Sequence, residues 1–280
     1  MIAVTGASGY VGGVIAAGLG PVALRLVRRP AGRQDLAWSF ATPADVLAAE
    51  FSARKVTHVV HAAWDMQASK LEELEAGCVA GSLRLIEAAT AAGAKMVFIS
   101  TISAFAGARS SYGRAKLQVE QAVHDAGGVV LRLGLVMGAG GMFGSLRTTV
   151  AKGKIVPMIG SGKAPQFLLP EATLVEAVQA ALAGRFDAEH APITLANPTP
   201  VPFRDMVQRL ALEAGRKVIL VPVPWQLLYA AFRTAEGLGL KLGFKSDSIV
   251  SFIYQNPAPD FAVQARLGIN PPGWVAGTRQ

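Results

Sequence analysis

The first 24 residues carry no charge, yet their apolar positions come in short runs rather than one long stretch. Met1 to Val4 reads as a buried parallel strand. Glycines follow at 6, 9 and 12, and then Val14 to Ala17 reads as a helix that Gly20-Pro21 closes. Val22 to Val27 is a second apolar strand, so the opening of the chain predicts a βαβ unit. A membrane segment or a signal peptide does not fit, because the glycines interrupt the run and no basic stretch precedes it.

Further along, Val56 to Val60 predicts the fourth strand, and a long helix runs from about Leu71 to Ala92, ending at Gly93. Val97-Phe98-Ile99 is again a buried strand. The next helix starts near Tyr112 and reaches about Asp125, where Gly127-Gly128 stops it. Val129 to Leu133 is the sixth strand. The glycine-rich stretch from Gly138 to Gly144 reads as a mobile loop leading to a helix at Leu146–Lys152 and the turn Gly160-Ser161-Gly162. Ala172 to Leu182 is helical, and Ile193 to Leu195 is a last strand before Asn197-Pro198. Prolines then punctuate a helix (203–214), a strand (218–221) and an apolar helix (225–236) too short to span a bilayer.

This alternation predicts an α/β fold, a Rossmann-type doubly wound parallel sheet with a small C-terminal α/β substrate domain. The expected division is 1–140 for the nucleotide-binding domain, with 168–197 returning to it, and 141–167 plus 198–280 for the substrate-binding part. With 280 residues, 51% of them hydrophobic, the chain can bury a core of that size.

The string Thr5-Gly6-Ala7-Ser8-Gly9-Tyr10-Val11-Gly12 lies between a strand and a helix, the setting that holds a pyrophosphate on a helix N-terminus. Gly6, Ser8, Gly9, Tyr10, Val11 and Gly12 are therefore expected to bind a dinucleotide. At the end of the second strand, where an NAD site usually carries an acid to accept from the ribose 2′-hydroxyl, this chain has Arg28-Arg29-Pro30. A guanidinium cannot accept, but it pairs well with a 2′-phosphate. NADP(H) is therefore favoured, with NAD(H) the alternative. Asp35 is the nearest later carboxylate and could meet the adenine end.

Tyr112 and Lys116 stand four residues apart and share a helix face. An ammonium beside the phenol favours phenolate and would bring its pKa toward neutrality. Just upstream, Ser100-Thr101-Ile102-Ser103 sits at the C-terminal end of a buried strand, where ligands of doubly wound sheets bind.

Together these residues resemble a short-chain dehydrogenase/reductase of the extended, epimerase/dehydratase-like branch. The matching positions are Thr5-Gly6-x-x-Gly9-x-x-Gly12, His61-Ala62-Ala63, Ser100-Thr101, Tyr112-x-x-x-Lys116 and Arg132-Leu133-Gly134-Leu135-Val136. The resemblance implies Tyr112 as acid/base, Lys116 as its activator and Thr101 or Ser103 as the hydroxyl that holds the substrate oxygen. It adds His61, Ala62, Ala63, Lys116, Leu133, Gly134 and Leu135 to the cofactor site, and a homodimer through the two long helices. Three departures stand out: Cys78 where the family often has Asn, Leu133 where it often has Pro, and Lys163-Ala164-Pro165-Gln166-Phe167 where nucleotide-sugar members usually place an Arg.

The expected activity is NADP(H)-dependent hydride transfer at a carbonyl/alcohol carbon of a small carbonyl/alcohol or sugar-like molecule. A nucleotide-sugar epimerase or dehydratase with retained NAD is the second expectation, and an NADP(H)-sensing protein without chemistry the third. The net charge of +8, from 27 basic and 19 acidic residues, suits a phosphorylated ligand. There is no basic run interleaved with aromatics, so nucleic acid is not expected. Four histidines at 58, 61, 124 and 190 show no metal-ligand spacing, and no metal is expected. The single Cys78 rules out an intrachain disulfide and suits a cytoplasmic location.

Overall fold

Short, mostly buried apolar strands alternating with helices build a parallel sheet in the computed structural model, which describes residues 1–240 and 245–274. In chain order the first unit contains β1 (Ile2–Thr5), α1 (Tyr10–Leu19), β2 (Ala23–Val27), β3 (Asp35–Ala37), α2 (Ala44–Ala53), β4 (His58–His61), α3 (Leu71–Leu74) and α4 (Ala80–Ala91). β5 (Lys95–Thr101), α5 (Ser111–Asp125), β6 (Val129–Leu133) and β7 (Leu135–Met137) follow. The chain continues with α6 (Gly141–Lys152), β8 (Ile155–Ile159), β9 (Pro165–Gln166), β10 (Leu168–Pro170), α7 (Glu171–Leu182) and β11 (Ile193–Leu195). It closes with β12 (Val201–Pro202), α8 (Phe203–Glu213), β13 (Ile219–Val223), α9 (Trp225–Gly237), α10 (Ser246–Ile253) and α11 (Ala262–Arg266).

The seven-stranded sheet has the order β3-β2-β1-β4-β5-β6-β11 and every pairing in it is parallel. The direction of winding reverses between β1 and β4, so the crevice at their C-terminal ends is where such a sheet receives a ligand. One hydrophobic core, with Phe51, Leu85 and Phe98 among its members, lies on one face of the sheet. A second, with Ile15, Leu131, Leu174 and Phe186, lies on the other. A third core joins α6, α8 and β8 through Phe143, Val150, Val156, Met206 and Leu210. β10 pairs with β7, and β11 returns to the large sheet beside β6.

The doubly wound architecture is the one the alternation predicted. Three of the local differences bear on the site. The helix expected from Leu71 to Ala92 is broken by a π turn over Glu75–Val79. There the Cys78 carbonyl accepts from the Ser82 hydroxyl at 2.7 Å and the Cys78 thiol accepts from Asp65 N–H at 3.2 Å. The stretch Gly138–Gly144 is loop only to Gly140, because α6 begins at Gly141, where the backbone of Gly140 and Gly141 lies against the Tyr10 ring. Finally, α10 had no counterpart in the sequence reading, and it reaches the candidate site. Among the described residues no helix is long and apolar enough to cross a membrane.

Candidate functional site

The cleft at the switch point holds about 720 Å³. β1 ends at Thr5 and the chain turns at Gly6, which has φ +69°. A Cβ at Gly6 would meet Ala63 N at 2.8 Å, and one at Gly12 would meet the Gly6 carbonyl at 2.3 Å. Both positions therefore need glycine if α1 is to start this close to the strand ends. Gly9 caps α1 without any side chain occupying the first N–H groups, which leaves a helix N-terminus open to the cleft.

Under that turn lies a buried relay. Thr5 Oγ1 and His61 Nδ1 are 2.7 Å apart, and His61 Nε2 is 2.8 Å from the Ser82 hydroxyl. Ser82 donates to the Cys78 carbonyl, so its oxygen accepts from His61 Nε2–H. Thr5 then donates to Nδ1 while its oxygen accepts the N–H groups of Ala62 and Ala63, both at 3.1 Å. Every member is satisfied with a neutral imidazole. Burial first, and the Lys116 charge second, hold the His61 pKa down at about 3.

Lys116 is buried. Its ammonium donates to the Ile99 carbonyl at 2.8 Å and lies 4.2 Å from the Trp64 ring centre and 4.5 Å from that of Phe98. Desolvation lowers its pKa to about 7. Tyr112 sits 5.9 Å, ring centre to centre, edge-on to Trp64. Burial raises its phenol to about 12, and a hydrogen bond with Thr101 offsets only part of that. The Lys116 nitrogen lies 5.9 Å from the phenol ring centre, and burial drives it toward neutrality.

One turn beyond Lys116, the buried Glu120 accepts two bonds from Arg132 Nε, at 3.0 and 3.1 Å, and a third from its Nη2 at 2.6 Å. It also accepts from the Ser100 hydroxyl. The spacing Tyr112, Lys116, Glu120 carries that signal in the sequence, as three polar positions at intervals of four.

The structure brings Gly6, Ser8, Gly9, Tyr10, Val11, Gly12, Arg28, Ala62, Ala63, Thr101, Tyr112, Lys116, Leu133, Gly134 and Leu135 to the cleft wall. It does not bring Arg29, His61 or Ser103 there. Arg29 is exposed on the loop after β2. His61 is sealed behind the glycine turn by the relay just described. Ser103 is engaged from outside by the Ser251 hydroxyl of α10 at 3.0 Å, which leaves Thr101 as the strand-end hydroxyl in the cleft. Asp35 is also withdrawn: it accepts from the N–H groups of Ala31 and Gly32 and faces Arg25.

Sequence reasoning missed Asp247. From the first turn of α10 its carboxylate accepts Ser111 N–H at 2.8 Å and Tyr112 N–H at 3.0 Å. Ser110 caps α5 locally by accepting Gly113 N–H at 3.1 Å. Tyr10 also does more than line the glycine loop, since its phenol donates to Glu171 at 2.5 Å and its ring packs on the start of α6.

The residues fit a dinucleotide on the chemistry of their polar groups. The open α1 N-terminus, the Arg28 guanidinium and the Lys116 ammonium are all donors. The Trp64 Nε1–H is buried with no partner among the described residues. Such a set calls for an acceptor-rich anion. Among the described residues no cluster could hold a metal ion.

The sequence matches the profile of the NAD dependent epimerase/dehydratase family over residues 2–182. No curated protein matches it. Among solved structures of similar fold, MoeE5 in complex with UDP-glucose and NAD has a TM-score of 0.74 at 18% identity, covering 98% of this chain and 94% of that one. UDP-glucose 4-epimerase from Thermotoga maritima, with UDP-glucose, scores 0.72 at 18% identity, covering 96% and 93%. A hypothetical dTDP-4-dehydrorhamnose reductase from Sulfolobus tokodaii scores 0.66 at 16% identity, covering 79% and 85%. With a family profile that matches residues 2–182, well over half of its length, the chain belongs to the NAD dependent epimerase/dehydratase family.

Proposed function

We propose that this protein is a nicotinamide-dependent oxidoreductase that moves a hydride at a C–O carbon, with NADP(H) as the preferred cofactor. The observation that carries the reading is the convergence of Tyr112, Thr101 and Lys116 on the wall of the same cleft that the glycine turn enters. The nicotinamide, when bound, supplies or accepts the hydride. Ser8 to Gly12 would hold the pyrophosphate, Arg28 the 2′-phosphate, and Lys116 with Trp64 the nicotinamide ribose. Thr101 orients the substrate oxygen. Tyr112, protonated in this state, gives its proton to that oxygen as the carbon is reduced, and takes one back in the reverse direction. The residues of 141–167 and 198–280 would complete the substrate site.

Replacing Tyr112 by Phe tests the reading: turnover of NADPH with carbonyl substrates should vanish while NADPH binding persists. Turnover like that of the unmodified protein would overturn it.

A second reading, an epimerase or dehydratase of a nucleotide sugar with retained NAD, is favoured by the solved structures of similar fold that hold UDP-sugars and NAD. Protein that purifies with stoichiometric NAD, releases it only on denaturation and consumes no NADPH would decide for that reading. Both readings use Tyr112 in the same way, so the cofactor released on denaturation separates them.

A further inference from the structure

The two strands β8 and β13 form a separate parallel ribbon whose register pairs Ile155 with Ile219, Pro157 with Val221 and Ile159 with Val223. Alternate residues divide the ribbon into two faces. Val156 turns into the third core, with Leu220 packed against it, and Met158 is buried on the same side. The opposite face is apolar and open: Ile155 is 61% exposed, Ile219 64% and Val221 39%. Single exposed apolar residues need no explanation, but a paired row of them on one face of a ribbon does. Next in sequence after the ribbon, α9 also exposes Leu227, Ala230 and Ala231.

The segments that carry the two strands are basic, the nearest carboxylate in sequence being the exposed Glu213 that ends α8. No Asp or Glu occurs between residues 126 and 170, or between 214 and 235. Because the strands are parallel, their N-terminal ends lie side by side, and the Lys154 carbonyl accepts Ile219 N–H at 2.8 Å. Lys152 and Lys154 before β8 and Arg216 and Lys217 before β13 are therefore gathered at one end of the ribbon. All four are exposed, and none joins an ion pair among the described residues. None of them lines the cleft, so the nucleotide does not account for them.

We propose that the outward face of the β8–β13 ribbon, with its Lys152/Lys154/Arg216/Lys217 end, is a docking surface for an anionic lipid bilayer. The apolar row enters the interfacial zone while the cations meet lipid phosphates, the combination that gives reversible surface binding. Nucleic acid matches the cations but not the row of Ile, Pro and Val. A second copy of the chain matches the row but brings the same cations and no carboxylate from these segments.

Sedimentation of the full chain with vesicles tests this. One set is phosphatidylcholine alone and the other is phosphatidylcholine and phosphatidylglycerol in equal parts. The protein should pellet with the mixed vesicles at low salt, roughly tenfold less with phosphatidylcholine, and be released by high salt. The doubly substituted protein Ile155→Ser/Ile219→Ser should lose the binding, as should Lys152→Glu/Lys154→Glu. Both should keep the unmodified melting temperature and nucleotide affinity, since these side chains lie outside the core and the cleft. Failure to pellet with the mixed vesicles, or pelleting unaffected by both pairs of substitutions, would overturn the proposal. So would dimerisation in solution that Ile155→Ser/Ile219→Ser abolishes.

Discussion

Asp247 accepts the backbone N–H of Tyr112 at 3.0 Å, across 135 positions of sequence. With Ser111 N–H at 2.8 Å on its other oxygen, it fills the N-terminus of the helix that carries both Tyr112 and Lys116. Glu236 in turn accepts the Ser246 N–H at 2.7 Å and its hydroxyl at 2.9 Å, which fixes α10 against α9. The C-terminal segment thus sets where the phenol stands.

Asp247→Ala should strand two helix N–H groups and lower stability by about 1–2 kcal/mol in urea denaturation. Turnover should fall roughly 10- to 100-fold with nucleotide affinity unchanged, because the displacement is at the phenol and not at the glycine turn. Asp247→Asn, which keeps one acceptor, should lose less. Equal loss of turnover and of nucleotide affinity would show a general collapse of the site instead.

Lys116 gives a pH signature. Its folded pKa, about 7, lies below its ordinary value of 10.5, so between those values the unfolded chain binds the extra proton. Stability should therefore rise with pH through that window, and the penalty should be fully present below about pH 7. Lys116→Met should remove the slope. Denaturation at pH 7 and pH 9 for both proteins checks it; parallel changes in the two would show that another group is responsible.

The arginine pair should divide in its effects. Arg28 lines the cleft and Arg29 does not. Arg28→Ala should weaken NADPH binding roughly 10- to 100-fold, the range of a lost charged hydrogen bond, and leave NADH nearly untouched. Arg29→Ala should change neither. Fluorescence titration with the two nucleotides reads both outcomes, and equal NADPH affinity in Arg28→Ala would remove the 2′-phosphate assignment.

Thr5→Val keeps the shape of the side chain but removes the acceptor for Ala62 and Ala63 and the donor to His61. One buried and one part-buried N–H left unpaired should cost about 1–3 kcal/mol. Nucleotide affinity should fall with it, since Gly6 rests directly on Ala63. A stability change below about 1 kcal/mol would mean that water replaces the hydroxyl.

Local reasoning reached the glycine turn because its requirement is local: Gly6 needs a positive φ, and Gly12 needs to lie against Gly6. It reached the Tyr112/Lys116 face because a helical repeat is a property of neighbouring residues. It placed Arg29 at the cofactor by its nearness in sequence to a strand end, and the family resemblance placed His61 there. Whether a strand-end side chain points into the crevice or behind it depends on the pleat and on what packs beneath. His61 found Thr5 and Ser82 beneath it.

The order of apolar runs, their lengths and the glycines between them were enough to dictate a doubly wound parallel sheet with a nucleotide turn at its first strand, because buried parallel strands and crossover helices leave few other arrangements. The ionisation of Lys116 and Tyr112, the choice of Thr101 over Ser103 in the cleft, and the capping of α5 by Asp247 were decided only in the tertiary structure. Desolvation and hydrogen bonding are set by which distant segments close over a group, and α10, with no motif of its own, is the segment that closes here.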